Sequence, residues 1–483
     1  MISSRFSLIV PLLLVNASLV LAEVHLGQGC LVGEVTATTA LLQTRLTAIS
    51  GPELDATDDL PGAPGVVSFE YGEDAQLREP AQTSWRDAQG SDDFIVRFAL
   101  TELKPGTRYF YRPVFGPTRD DVRRGAIGQF KTVGGGDGTG DVSFCVGSCM
   151  NYNKFMHGAR GKASGPVTAT DEDKRLGYPS FVAMAALEPD FFIGTGDIVY
   201  YDHVLNGPAQ TLPQLRQCWH EQFRFPRLSD FFSKTPAYWS KDDHDFRFDD
   251  ADLARQRLPL PQTGIEVFRE QLPIHPAGDR DSPTYRTHRI SKQLQIWLTE
   301  GRDHRSPNRM QDGPDKSLWG REQREWLQQT LKQSDADWKI VISPTPMVGP
   351  DDARKIDNHT NLGGFRHEAE EFFRWLDTNQ ISGFMTICGD RHWQYHSVHP
   401  SGVEEFACGA LNDENSRKGV APGAKNGTDP EALINQLYTY DQPTGGFLYL
   451  RVAAAEPSEL TIEFRDDTGK PLYAVAKTSE RID

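Results

Sequence analysis

The sequence predicts an α/β domain preceded by a small all-β sandwich. Three observations carry that expectation. Residues 23–133 read as short strands between turn signals, at 35–46, 66–71, 94–100 and 109–113, the regular spacing of a sandwich. Residues 134–141 (GGGDGTGD) are glycine-rich and read as a linker, because glycine leaves the backbone free. From 142 to 483, short apolar runs alternate with amphipathic helix-like stretches, the pattern of strands covered by helices.

Taken in order, residues 1–22 hold one charge, Arg5, then apolar stretches at 6–15 and 18–21, and end on Val20, Leu21 and Ala22. That is the layout of a signal peptide with a small-x-small-like cleavage site. Asn16, Ala17 and Ser18 interrupt the apolar stretch, so it falls short of the roughly 20 residues of a stable membrane anchor. A periplasmic or secreted protein is expected. In the β-rich region, Pro105 and Gly106 make a turn before the aromatic strand start Tyr109, Phe110, Tyr111. Beyond the linker the apolar runs are 142–146, 191–193, 237–239, 294–298, 339–342 and 384–387, with helices expected at 321–333 and 367–379. In the second helix Phe372, Phe373, Trp375 and Leu376 form one apolar face, read as core packing. Runs at 447–452, 460–464 and 472–476 read as closing antiparallel strands.

The chain's 51 Lys+Arg against 67 Asp+Glu give a formal charge of −16, and loss of Arg5 with the signal makes it one unit more acidic. Such a balance excludes a nucleic-acid partner, since phosphate backbones are held by clustered cations. It also sits awkwardly with any anionic substrate. The cysteines at 30, 145, 149, 218, 388 and 408 form no C-x-x-C pair. Cys145 and Cys388 lie in apolar runs and read as buried, inert thiols, while Cys30 is a candidate for a disulfide in an oxidising compartment. No G-x-S-x-G elbow supports serine hydrolase chemistry.

The functional signal lies directly after four apolar runs. These are followed by Gly147, Ser148 and Cys149; by Gly194 to Asp197 and Tyr200; by Lys241, Asp242, Asp243, His244 and Asp245; and by Gly389, Asp390, Arg391 and His392. In α/β sheets ligands bind beyond the carboxyl ends of strands, so these loops should converge. A thiol, several carboxylates, a phenol and imidazoles brought together describe a multinuclear metal site.

At these residues the chain resembles the alkaline phosphatase D (PhoD-like) family of metallophosphatases, from about residue 142 to the C-terminus. The resemblance implies a two-sheet sandwich flanked by helices, and phosphoester hydrolysis by a metal-activated hydroxide acting on a small phosphate ester. It implies a ferric ion held partly by Cys149 and Tyr200, with divalent ions, typically calcium, beside it. Asp197 would bridge two ions; Asp243, Asp390 and His392 would serve the second. His244 is the candidate for protonating the leaving oxygen, and Arg391 the candidate for binding a substrate oxygen. His157, Arg160, Arg302 and His359 are further candidates for substrate contact. The region in front resembles the fibronectin-III-like domain found before several metallophosphatase families, with a spacer role expected. Two departures stand out: Asp245 occupies a position where relatives carry Glu, and Asp249 with Asp250 stand where relatives carry an Asn pair. A binding protein with a degenerate enzyme domain, and a sulfate or phosphonate ester hydrolase, are the competing readings. The intact set of candidate ligands counts against degeneration.

Overall fold

The computed structural model describes residues 23–158 and 166–479. The proposed signal peptide at 1–22 and the candidate Arg160 lie outside the described residues. Two large sheets face each other. The nine-stranded sheet holds the adjacent parallel strands Val142–Gly147, Phe191–Thr195 and Ala237–Ser240 at its centre, with antiparallel Gly446–Ala453, Glu459–Asp466 and Pro471–Thr478 on one side. The seven-stranded sheet is built around parallel Leu294–Leu298, Trp338–Ser343 and Phe384–Cys388.

Period-two alternation decides which layer each side chain enters. Phe144, Phe191, Ile193 and Tyr238 point between the sheets and pack with Leu294, Ile296, Ile340, Ile342 and Ile387. Phe192 and Trp239 point the other way, into a layer made by the helices Pro179–Ala186, Leu212–Phe223, Pro226–Phe232 and Pro261–Gln271. On the far face of the second sheet, Trp297 and Val341 meet the helices Gly320–Gln333 and Arg366–Thr378. The central strands are therefore covered on both faces, which is why they read as continuous apolar runs. The sandwich flanked by helices agrees with the expectation.

The N-terminal region is all-β. Cys30–Gly33, Ala40–Arg45 and Ile95–Leu100 form one layer, and a six-stranded sheet including Gly65–Gly72 and Arg108–Thr118 forms the other. Val32, Leu42, Phe98, Phe69 and Tyr111 fill the space between them. Hydrogen bonding crosses the compositional boundary at 134–141. The first layer continues the nine-stranded sheet, with Gly33 registered parallel to Ala237. Arg97 is buried at this junction and donates to the carbonyls of Arg269, Glu270 and Leu272 at the end of the helix Pro261–Gln271, groups left without partners inside the helix. Glu34 pairs with Arg286 at 2.6 Å across the same junction.

Two expectations are corrected. The run 35–46 is not one strand: Glu34 takes φ 50° and a turn from Thr36 to Thr39 separates two strands. Cys30 is a buried free thiol, as are the other cysteines. Among the described residues no helix is long and apolar enough to cross a membrane.

Phe192 is fully buried against Phe181, Phe231, Phe232 and Trp239. Phe192→Ala is expected to destabilise the fold by about 3–5 kcal/mol, read as a lower urea midpoint at unchanged slope.

Candidate metal centre

The three parallel strands of the first sheet end in step, with Gly147 opposite Gly194 and Thr195 opposite Ser240. Their loops therefore leave the sheet side by side. The fourth loop comes from the opposing sheet after Phe384–Cys388, and Gly389 lets it touch the first two. A Cβ at Gly389 would lie 2.4 Å from Thr195 Oγ1 and 2.7 Å from Ser148 Oγ. Gly196 plays the same part at φ +97°, where a Cβ would meet Asp242 at 2.6 Å.

Cys149, Asp197 and Asp390 share a further property. Their φ values are 58°, 56° and 58°, the left-handed region that non-glycine residues seldom occupy. Each such residue costs on the order of 1–3 kcal/mol, and such strain gathers at functional sites. Each lies within two residues of its strand's end.

Asp197 is the centre of the arrangement. Ligand atoms of Cys149, Asp197 and His392 lie within 4.8 Å of one another, and so do those of Asp197, Asp242, Asp243 and Asp390. The Cys149 thiol and the Tyr200 phenol both point at Asp197 Oδ2, at 3.5 and 3.3 Å. The other oxygen, Oδ1, accepts the His244 amide at 3.3 Å. The two carboxylate oxygens thus face two neighbouring compartments. The sequence reading placed His392 with Asp243 and Asp390; the geometry groups it with Cys149.

Burial, followed by the neighbouring carboxylates Asp243, Asp242 and Asp245, pushes the Asp197 carboxyl well above its ordinary range, against the pull of His244. Burial and then Asp197 do the same to the Cys149 thiol and the Tyr200 phenol. Asn415 opposes this by donating to Tyr200 Oη at 3.0 Å, a bond that favours the phenolate. Burial, then Arg417 and Lys154, hold His392 neutral, the form of imidazole that ligates metal. The donor set fits metal ions. The sealed oxygen Asp242 Oδ2 has no hydrogen-bond partner, and four crowded carboxylates need cations to be stable. One compartment offers thiol, phenol, imidazole and carboxylate; the other offers mainly carboxylate oxygens, with the His244 imidazole beside Asp197 and Asp243, suited to a hard divalent cation.

Several residues position this set. His244 sits on the ring of Tyr200 with centroids 4.2 Å apart, and its Nδ1 is held by Asp202 Oδ1 at 2.7 Å. Asp245 accepts the amides of Asp242 and Ile198 at 2.6 and 3.0 Å, tying the third loop to the second. Asp250 donates its amide to Asp243 Oδ2 at 2.5 Å, and Lys355 pairs with the carboxylates of Asp250 and Asp249. The two acidic departures at 249 and 250 thus carry their own counter-cation.

Other candidates fall elsewhere. Arg302 is completely buried and donates to Asp242 Oδ1 at 2.7 Å, Ala251 O at 3.0 Å and Asp357 Oδ2 at 3.3 Å. Its donors are spent on protein acceptors, so it positions Asp242 and does not face a substrate. Arg391 is equally buried and pairs with Asp351 and Asp390; the geometry makes it a support for Asp390. His359 is buried against Trp319 with Nε2 on Glu368 at 3.0 Å, within the helical layer. His157 is exposed at the end of the helix Tyr152–His157. Sequence reasoning missed Asp242 as an inward carboxylate, although it lay inside the quoted 241–245 stretch. It also missed Asp202, His203 and Asn415. His203 lies 5.0 Å from the His244 ring, and burial and then His244 push it down to about 4.

With this geometry in place, comparison with known proteins is informative. Residues 144–452 match the family model described as PhoD-like phosphatase, and residues 15–134 match the PhoD-like phosphatase N-terminal domain. Alkaline phosphatase D of Bacillus subtilis (strain 168) is 20% identical over 416 residues, covering 77% of this chain and 65% of that protein's length. A solved structure of PhoD superposes with a TM-score of 0.70 at 18% identity, covering 94% of this chain and 89% of the other. Purple acid phosphatase PPD1 from yellow lupin (Lupinus luteus) seeds superposes with a TM-score of 0.60 at 13% identity, covering 92% and 73%. Those two likenesses carry the fold. A family model spanning most of the chain carries the membership: the chain belongs to the PhoD-like phosphatase family.

Proposed function

We propose that the protein is an exported, metal-dependent phosphoric ester hydrolase. The observation that carries this reading is the position of Asp197, the one residue common to the thiol–imidazole cluster and the four-carboxylate cluster. A carboxylate shared in this way would be suited to holding two neighbouring metal ions. Ferric iron suits the side bearing Cys149, Tyr200 and His392, because a trivalent ion drives loss of the thiol and phenol protons. Calcium suits the side bearing Asp242, Asp243 and Asp390. When bound, such ions supply Lewis-acid activation of water and charge neutralisation at the phosphoryl oxygens. Export is supported by the pattern of residues 1–22.

The chain's own residues do the rest. Asp242 and Asp390 are held in place by Arg302 and Arg391, so the carboxylate cage is rigid before substrate arrives. Asp202 fixes the His244 ring through Nδ1 and leaves Nε2 to carry a proton to the leaving oxygen. A general acid of this kind contributes about 10²–10⁴-fold.

Two measurements test the reading. Purified protein supplied with iron and calcium is expected to be coloured and to hydrolyse nitrophenyl phosphate or bis-nitrophenyl phosphate. Tyr200→Phe should bleach or shift the band; an unaltered spectrum removes Tyr200 from the ligands, and a colourless, inert wild type removes the hydrolase. For the acid, His244→Ala is expected to lower kcat about 10²–10⁴-fold on an alkyl phosphate and much less on nitrophenyl phosphate, whose leaving group needs no proton. Asp202→Asn should show the same ordering with smaller losses. Equal losses on both esters would make His244 a support for Asp243 instead.

A further inference from the structure

Cationic side chains around the carboxylate cluster are of two kinds. Most are already paired: Arg302 with Asp242 and Asp357, Arg391 with Asp351 and Asp390, Lys355 with Asp249 and Asp250, Lys241 with Glu300 and Asp303. Lys154, Arg305 and Arg417 are not: among the described residues none of them has a carboxylate within ion-pair distance. Arg305 donates to the Gly301 carbonyl and Asn308 Oδ1, whereas Lys154 and Arg417 lie on the side of the centre that carries Cys149 and His392.

Their placement is specific. Lys154, in the helix Tyr152–His157, donates from Nζ to Asn415 Oδ1 at 2.8 Å. Asn415 in turn donates from Nδ2 to Tyr200 Oη and to the Cys149 carbonyl, both at 3.0 Å. Arg417 donates its amide to the His392 carbonyl at 2.8 Å, and its guanidinium lies 5.1 Å from the Trp393 ring centre. Its Nε is sealed from water and has no hydrogen-bond partner. Burial and then Arg417 push Lys154 down to about 8. Both side chains are part-buried, and like charges on the same side of the centre repel until an anion joins them. The carboxylates of Asp390 and Asp351 act on Arg417 only from beyond ion-pair distance.

We propose that Lys154 and Arg417 form an anion subsite beside the metal centre, which holds the second charged oxygen of a phosphomonoester. The proposal rests on the hydrolase reading above and deepens it by naming a substrate class. A monoester has a second ionisation near pH 6 and carries about two negative charges at pH 7 and above. A diester carries one, because an uncharged group occupies the oxygen in question. A part-buried pair of cations discriminates between the two by charge. A purely structural role for Arg417, stacking on Trp393, makes no such distinction.

The test uses the metal-loaded enzyme in five forms: wild type, Arg417→Gln, Lys154→Gln, Arg417→Lys, and Arg354→Gln as a control that removes an exposed arginine. Inorganic phosphate binding is followed by calorimetry, and rates are measured on nitrophenyl phosphate and bis-nitrophenyl phosphate, with bound metal assayed in each form. Arg417→Gln and Lys154→Gln are expected to weaken phosphate binding and monoester kcat/KM about 10–100-fold, the range of one charged hydrogen bond. Diester rates and metal content should stay near wild type, Arg417→Lys should keep most of the monoester activity, and Arg354→Gln should change nothing. Equal losses on both esters, unchanged phosphate binding, or loss of metal would overturn the subsite. A wild type inert toward both esters that still bound phosphate through Arg417 would sink the hydrolase reading and leave the anion site standing.

Discussion

The site depends on one buried carboxylate. Asp197 is sealed from water, held in a left-handed backbone conformation, and common to both ligand clusters. None of these conditions favours an isolated protein. Burial opposes its charge, the backbone is strained, and three further carboxylates stand within 4.8 Å. The arrangement makes physical sense as a socket for cations, where the same crowding becomes coordination. The fold meets the condition by ending three parallel strands in step and lowering a fourth loop onto them from the opposite sheet. Glycine at 389 and 196 permits the contact, because any larger residue would collide with the neighbouring loop.

Support for the socket comes from buried ion pairs. Arg302 and Arg391 each join a cluster carboxylate to a second one outside the cluster, Asp357 and Asp351. Removing one partner of such a pair leaves an uncompensated charge, so these links determine geometry more than they add stability. The acidic balance of the whole chain then has a local meaning. Carboxylates crowd the centre, and Lys154 and Arg417, without ion pairs among the described residues, stand on the side of Cys149 and His392. On the proposed reading, an overall charge of −16 is compatible with an anionic substrate, because bound ions would set the field that a substrate meets.

Much of this was legible in the sequence, for a physical reason. Strands buried on both faces appear as apolar runs and the polar loops follow them directly, so the four converging loops could be found by position. The choice of Cys149, Asp197, Tyr200, Asp243, Asp390 and His392 within them came from the family resemblance. What could not be read was direction. Nothing in one dimension distinguishes an arginine aimed at substrate from one spent on Asp242 and Asp357, as Arg302 is. The register that joins Gly33 to Ala237, and so makes the N-terminal strands part of the main sheet, spans 204 residues and leaves no local pattern. Lys154 and Arg417 are likewise brought together by the fold, through Asn415 and His392, and belong to no motif.

The shared carboxylate is tested most directly by metal stoichiometry. Wild type and Asp197→Asn, refolded or expressed with iron and calcium and then desalted, are compared by elemental analysis. If Asp197 joins the two compartments, the substitution should lower iron and divalent metal together, by similar factors, with the visible band lost alongside. Retention of either metal at its wild-type level would contradict the shared site and leave two independent ones.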